Sequence, residues 1–161
     1  MHRKNEKQII TDIFLVILIA CEQNSSNKKL PQQIVNEISD DNVLTIDTFS
    51  IFPPDIDGCS CYFSNDSTEF NKGEYIYMND FAQISFLKIN GVLTKFSQTN
   101  FKEIDSLHIK AKYKSHKYEM TIESKDVIQN GDETWLKIGK IKLTDKKGKT
   151  ITKTFYGECG C

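Results

Sequence analysis

The sequence predicts an all-β chain, mainly antiparallel: a small β-barrel or β-sandwich of eight or nine short strands, preceded by one short helix. Three observations carry this. Apolar residues recur with period two, as in Leu107, Ile109, Ala111 and Tyr113, or Tyr118, Met120 and Ile122, with lysine, glutamate and threonine between them. Such alternation is the pattern of a half-buried strand with one wet face. Asn90-Gly91 separates two such runs and is a strong two-residue hairpin signal. Further turn pairs, Asn130-Gly131 and Lys147-Gly148, follow at near-regular spacing, as short strands of one antiparallel domain require.

In chain order, residues 31–41 suit a short helix. Pro31 fits a first turn, and Leu30, Ile34 and Ile38 share a face. Strands are expected at 43–51, 59–64, 74–78, 85–89, 92–98, 107–113, 117–123, 136–143 and 150–156, with one helical turn at 67–70. Leu136 and Ile138 are in phase with each other, whereas Ile141 and Leu143 have the opposite phase. Gly139 sits between the pairs, so the pattern predicts a β-bulge or sharp bend there.

The chain has 161 residues, is 39% hydrophobic and 27% charged, and has a net charge of -1. One domain is the default at this length, and the composition excludes collagen-like and fully disordered chains. The near-neutral charge argues against a nucleic-acid partner. So does arginine: Arg3 is the sole one in the chain, and arginine supplies the planar fork that reads phosphates and guanine edges. Charge is nevertheless uneven. Residues 30–100 carry 3 Lys against 10 acids, and residues 101–161 carry 13 Lys against 9 acids. Two halves of one domain attracting each other explain this, and so does a basic face meeting an anionic surface; the first is the simpler.

The N-terminus is an address. Arg3, Lys4 and Lys7 precede an apolar run from Ile13 to Ala20. Eight to twelve residues rise only ~12–18 Å as a helix, short of a ~30 Å hydrocarbon core. A charged start and a short apolar stretch form a signal-peptide pattern. The run ends Leu18-Ile19-Ala20-Cys21, which resembles the lipobox of bacterial lipoproteins. Asp12 within the apolar region departs from that pattern. The resemblance implies cleavage before Cys21, a diacylated thiol and usually an acylated amine, so that the lipid bilayer is a partner through Cys21. Two or three acyl chains make a stable anchor. It implies residues 1–20 as signal, 21–30 as acylated cysteine and flexible polar tether, and 31–161 as a single β-rich domain. Glu22, where the family often has Asp for inner-membrane retention, leans towards the outer membrane. The expected location is the bacterial cell envelope, periplasmic or surface-exposed.

Four more cysteines form two Cys-x-Cys pairs, Cys59 with Cys61 and Cys159 with Cys161. An even count in an exported chain reads as disulfides. Within a strand, Cys-x-Cys neighbours lie about 6.6 Å apart, so bridges between the pairs are favoured. Antiparallel pairing gives Cys59–Cys161 with Cys61–Cys159; parallel pairing gives Cys59–Cys159 with Cys61–Cys161. No cofactor is expected on this reading. The alternative is a four-thiolate site for Zn or Cu.

Other signals are weaker. Asp55-Ile56-Asp57-Gly58 lacks the spacing of a calcium loop, and Gly148-Lys149-Thr150 lacks the earlier glycine of a phosphate loop. His108 falls on a lysine-rich strand face and His116 in a turn. No catalytic motif occurs, so an enzyme is not expected. Tyr75 and Tyr77 alternate with Ile76 and Met78. The tyrosines form an exposed binding surface, or both faces of the strand are covered; the pattern fits either. The expected function is a membrane-anchored, disulfide-stapled, non-catalytic binding module for an envelope protein or a glycan. The alternative is a metal-binding envelope protein.

Overall fold

The structure is a computed structural model and describes residues 43–81 and 83–161. The signal, Cys21, the tether and the helix expected at 31–41 lie outside the described residues. The described chain runs β1 (Ile46–Asp47), β2 (Ser60–Ser64), α1 (Ser67–Asn71), β3 (Tyr77–Asn79), β4 (Ile84–Ile89), β5 (Val92–Glu103), β6 (His108–Lys114), β7 (Tyr118–Gln129), β8 (Thr134–Asp145) and β9 (Thr150–Gly160). From β2 onward each strand pairs antiparallel with the next, and β9 returns to pair with β2. The result is a closed eight-stranded up-and-down barrel, with β1 an extra strand against β4.

Local chemistry accounts for the turns. Asn90 and Gly91 both have positive φ, 46° and 78°, the conformation a tight hairpin with right-twisted strands demands. Asp66 caps α1 by accepting from the amides of Thr68 and Glu69. The strand expected at 43–51 contracts to β1 and an isolated bridge between Phe49 and Tyr75.

The closing seam carries both disulfides, Cys61–Cys159 and Cys59–Cys161, the antiparallel alternative. Register explains the choice. Cys61 lies directly opposite Cys159, with Cα atoms 4.0 Å apart. The Cys61 amide points away from β9 and donates to Asn79 Oδ1 at 3.0 Å. The cysteines are therefore a non-hydrogen-bonded pair, the kind whose side chains approach closest. Two residues further out on the same face, Cys59 meets Cys161.

Inside the barrel, aromatic rings and glycines are complementary. Gly139 is paired with Phe155, and Gly157 with Phe63. A Cβ on Gly139 would stand 2.1 Å from the Glu123 carbonyl oxygen and 2.6 Å from Phe155 Cζ. The rings of Phe63 and Phe155 then stack at 4.1 Å, and Tyr77 stacks on Phe63 at 5.1 Å. This corrects the expectation at Gly139. β8 passes through Gly139 without a bulge, and the inward set is Lys137, Gly139, Ile141 and Leu143. Leu136 and Ile138 keep the outward phase, and Ile138 is 42% exposed. The register shift lies on β7 instead, between Asp126 and Ile128.

The two ends of the barrel differ. At one end, Leu44 and Ile46 join the buried core, tied to the β4–β5 turn by Asn90 Oδ1, which accepts from the Thr45 amide. The other end holds the β3–β4, β5–β6 and β7–β8 turns and the disulfide seam.

Substituting Gly139 with Ala is expected to cost about 1–3 kcal/mol through overpacking, read as a lower urea midpoint. Reduction is expected to lower stability by about 4–5 kcal/mol for the ~100-residue loop. Removing Cys59–Cys161 alone should cost far less, because Cys61–Cys159 still closes it. Urea titrations of the oxidised, reduced and Cys59→Ser/Cys161→Ser forms check both statements.

Candidate functional site at the open end of the barrel

The interior does not fill to the second end. A cup of about 210 Å³ remains, opening between Phe81 and Phe101. That volume is comparable to cavities that accept an aromatic ring. Its wall is largely apolar: the Cys61–Cys159 bridge, Phe63, Ile109, Ala111 and Ile122.

Polar groups point into this cup. The hydroxyls of Tyr77 and Ser124 are buried and make no hydrogen bond. Tyr113, Asn79 and Ser85 are the polar groups that face the Tyr77 phenol. Burial, then the neighbouring Tyr113, pushes that phenol well above its ordinary pKa, so it stays a neutral donor. Asn79 holds the rim. Its Oδ1 accepts from the amides of Cys61 and Phe81, and its Nδ2 lies 3.5 Å from the Tyr113 hydroxyl. Lys137 also lines the cup and is ion-paired with Asp126; the side chains are 12% and 26% exposed.

The β3–β4 turn presents Phe81. Asp80 Oδ1 accepts from the amides of Gln83 and Ile84, tightening the turn. Phe81 consequently has φ of 64°, a conformation bulky residues rarely adopt. It is 51% exposed at the mouth. Phe101, Ile104 and Leu107 on the β5–β6 side, and Val127 and Ile128 on β7, are also exposed at this end. A strained turn presenting a large apolar side chain to solvent is an arrangement found at binding sites.

The structure separates the two candidate tyrosines. Tyr77 is not on a surface: it is 1% exposed inside the barrel. Tyr75 joins an outer cluster with Phe52, Tyr62 and Phe70, with ring centroids 5.4–6.1 Å apart. Tyr62 reaches Glu158 Oε2 at 3.4 Å, and burial followed by this carboxylate raises its pKa. Tyr75 meets the other three rings edge to face, Tyr62 stacks on Phe70, and Phe52 stays exposed at the edge of the cluster. A bend at Ile76 parts the two residues: Tyr75 precedes β3 and pairs with Phe49, whereas Tyr77 begins β3.

The four cysteines are consumed as disulfides, so their thiolate site requires prior reduction. His108 packs at the β5–β6 turn, with Nδ1 2.8 Å from Asp105 Oδ1. His116 is exposed in the β6–β7 turn.

Sequence reading passed over Asn79, Phe81, Phe101, Ser124 and Lys137. Ser124 had a signal: it continues the phase of Met120 and Ile122. Lys137 was hidden because Leu136 and Ile138 imitate an inward face. Comparison with family models, curated proteins and solved structures found no match to the chain.

An unpartnered buried hydroxyl costs stability, so its removal should be neutral or favourable. Tyr77→Phe and Ser124→Ala are each expected to leave the urea midpoint unchanged or raise it. A loss above about 1 kcal/mol would mean that the hydroxyl is already bonded in the folded chain.

Proposed function

We propose that this chain is a membrane-anchored, non-catalytic binding module of the bacterial cell envelope, which holds a protein partner by the open end of its barrel. The observation that carries the reading is the cup: buried hydroxyls without partners, below exposed apolar side chains, in a covalently closed barrel. Unpaired buried donors are satisfied when an acceptor enters, and an apolar wall favours a carbon framework around that acceptor. A side chain of a partner protein supplies both. The exposed rim then gives the flanking contact, with Phe81 and Phe101 as aromatic anchors around a central pocket.

The lining offers hydroxyls, amides and one ammonium, groups that can donate to an entering acceptor. The anchor rests on the lipobox-like run ending at Cys21, and the disulfides accord with an oxidising compartment. Rigidity suits the task, because a closed barrel presents its mouth with little ordering cost on binding.

Two measurements test this. Fatty-acid labelling in cells should mark the chain and disappear with Cys21→Ser; persistent labelling overturns the anchor. A photoreactive residue at Phe81 or Phe101 should give a discrete protein adduct that the same residue at Val92, at the opposite end, does not. Equal adducts from all three positions, or none, would overturn the mouth as the site. An adduct shifted by glycosidase and not by protease would replace the protein partner with a glycan.

A further inference from the structure

The end of the barrel opposite the mouth has its own chemistry. Lys117 lies in the β6–β7 turn, and Lys146, Lys147 and Lys149 in the β8–β9 turn. All four are exposed, and none forms a salt bridge among the described residues. They border one shallow depression together with Val43. Val43 is where the described chain begins, so the N-terminal segment joins the barrel beside these lysines.

The acids nearby are largely engaged. Asp145 Oδ1 accepts from the amides of Lys147 and Lys149, both at 2.8 Å, and so builds the turn. Glu119 is paired with Lys114. On the α1 side of this end, Asp66 caps the helix and Glu69 accepts from Asn65; Glu74 is exposed there. The basic area is therefore the sector of the two hairpin turns, and it adjoins the chain's point of entry.

From this placement we infer that the Lys117, Lys146, Lys147 and Lys149 sector docks on anionic phospholipid headgroups, turning the mouth away from the bilayer. The inference rests on the anchored reading only for its setting; the lysine sector itself needs no acyl chain to bind. Two features point to a lipid surface as the occupant. One is charge complementarity, since clustered lysines are drawn to an anionic leaflet within a Debye length. The other is geometry, since the segment leading to Cys21 leaves the barrel at this sector. An acyl anchor on that segment and a basic patch where the segment joins the barrel would act together, the two-signal arrangement that makes membrane attachment stable. The mouth, at the other end of every strand, is then presented to a partner.

The test uses the full mature chain with Cys21→Ser, which carries no acyl group. It is sedimented with phosphatidylcholine vesicles, with or without phosphatidylglycerol, at low and high salt. Binding is expected only with phosphatidylglycerol, and salt should weaken it. Lys146→Gln with Lys147→Gln should weaken binding about 25-fold, at about fivefold per lysine. Lys102→Gln with Lys125→Gln removes the same charge near the mouth and should change it little. Equal binding to neutral vesicles, or an equal loss from the mouth variant, overturns the inference. So does binding that appears only after Asp40→Asn with Asp41→Asn, which would show the lysines serving the chain's own acids. Failure of the anchor is read separately, from the fatty-acid labelling of Cys21.

Discussion

Everything in this domain depends on closing a sheet on itself. An up-and-down barrel has a first and a last strand that must meet, and here they are β2 and β9. Loop entropy opposes that meeting, because about a hundred residues separate the partners. Two cross-links at the seam remove much of the opposing entropy from the unfolded chain. Closure also removes the two sheet edges that would otherwise invite other strands. A domain of this size gains proportionately from such a staple, since its buried surface alone leaves little margin.

Closure fixes the interior, and the interior creates the site. Eight strands leave a bore that side chains just fill. Phe63, Phe155 and Tyr77 fill the middle by stacking, which is allowed because Gly139 and Gly157 offer no Cβ in their path. Leu44 and Ile46 fill the first end. Towards the second end the inward positions change to Asn79, Gln98, Ser124 and Lys137, which do not complete an apolar core. The cup is the space those residues leave. Its buried hydroxyls are what the proposed binding reading draws on.

The outer wall is simpler. Lys110 and Lys140 both reach Glu123, and their hydrogen bonds hold its carboxyl at about 2, below its ordinary 4.5. The lysines of the end turns lack such partners among the described residues. Among the described residues every ion pair joins residues of the same chain half, so the uneven charge of the two halves is left standing, and part of the excess in the second half is gathered in the basic sector of the end turns.

The sequence by itself determined the β class, the hairpin at Asn90-Gly91, the inward face of β6 and β7, and that disulfides, as against a thiolate metal site, would have to run between the Cys-x-Cys pairs. These are local properties: alternation, a turn dipeptide, and the reach of a disulfide. Tertiary structure decided the rest. Whether Cys61 meets Cys159 or Cys161 is a question of strand direction at the seam, and no local pattern contains it. Gly139 reads as a break in isolation, yet it is the floor beneath a ring sixteen residues away. Tyr77 reads like Tyr75, yet one is core and the other is outer wall. The cup was illegible for the same reason, since its lining comes from seven strands and the β3–β4 turn. A cavity is a property of where side chains fail to meet, and only the folded arrangement states that.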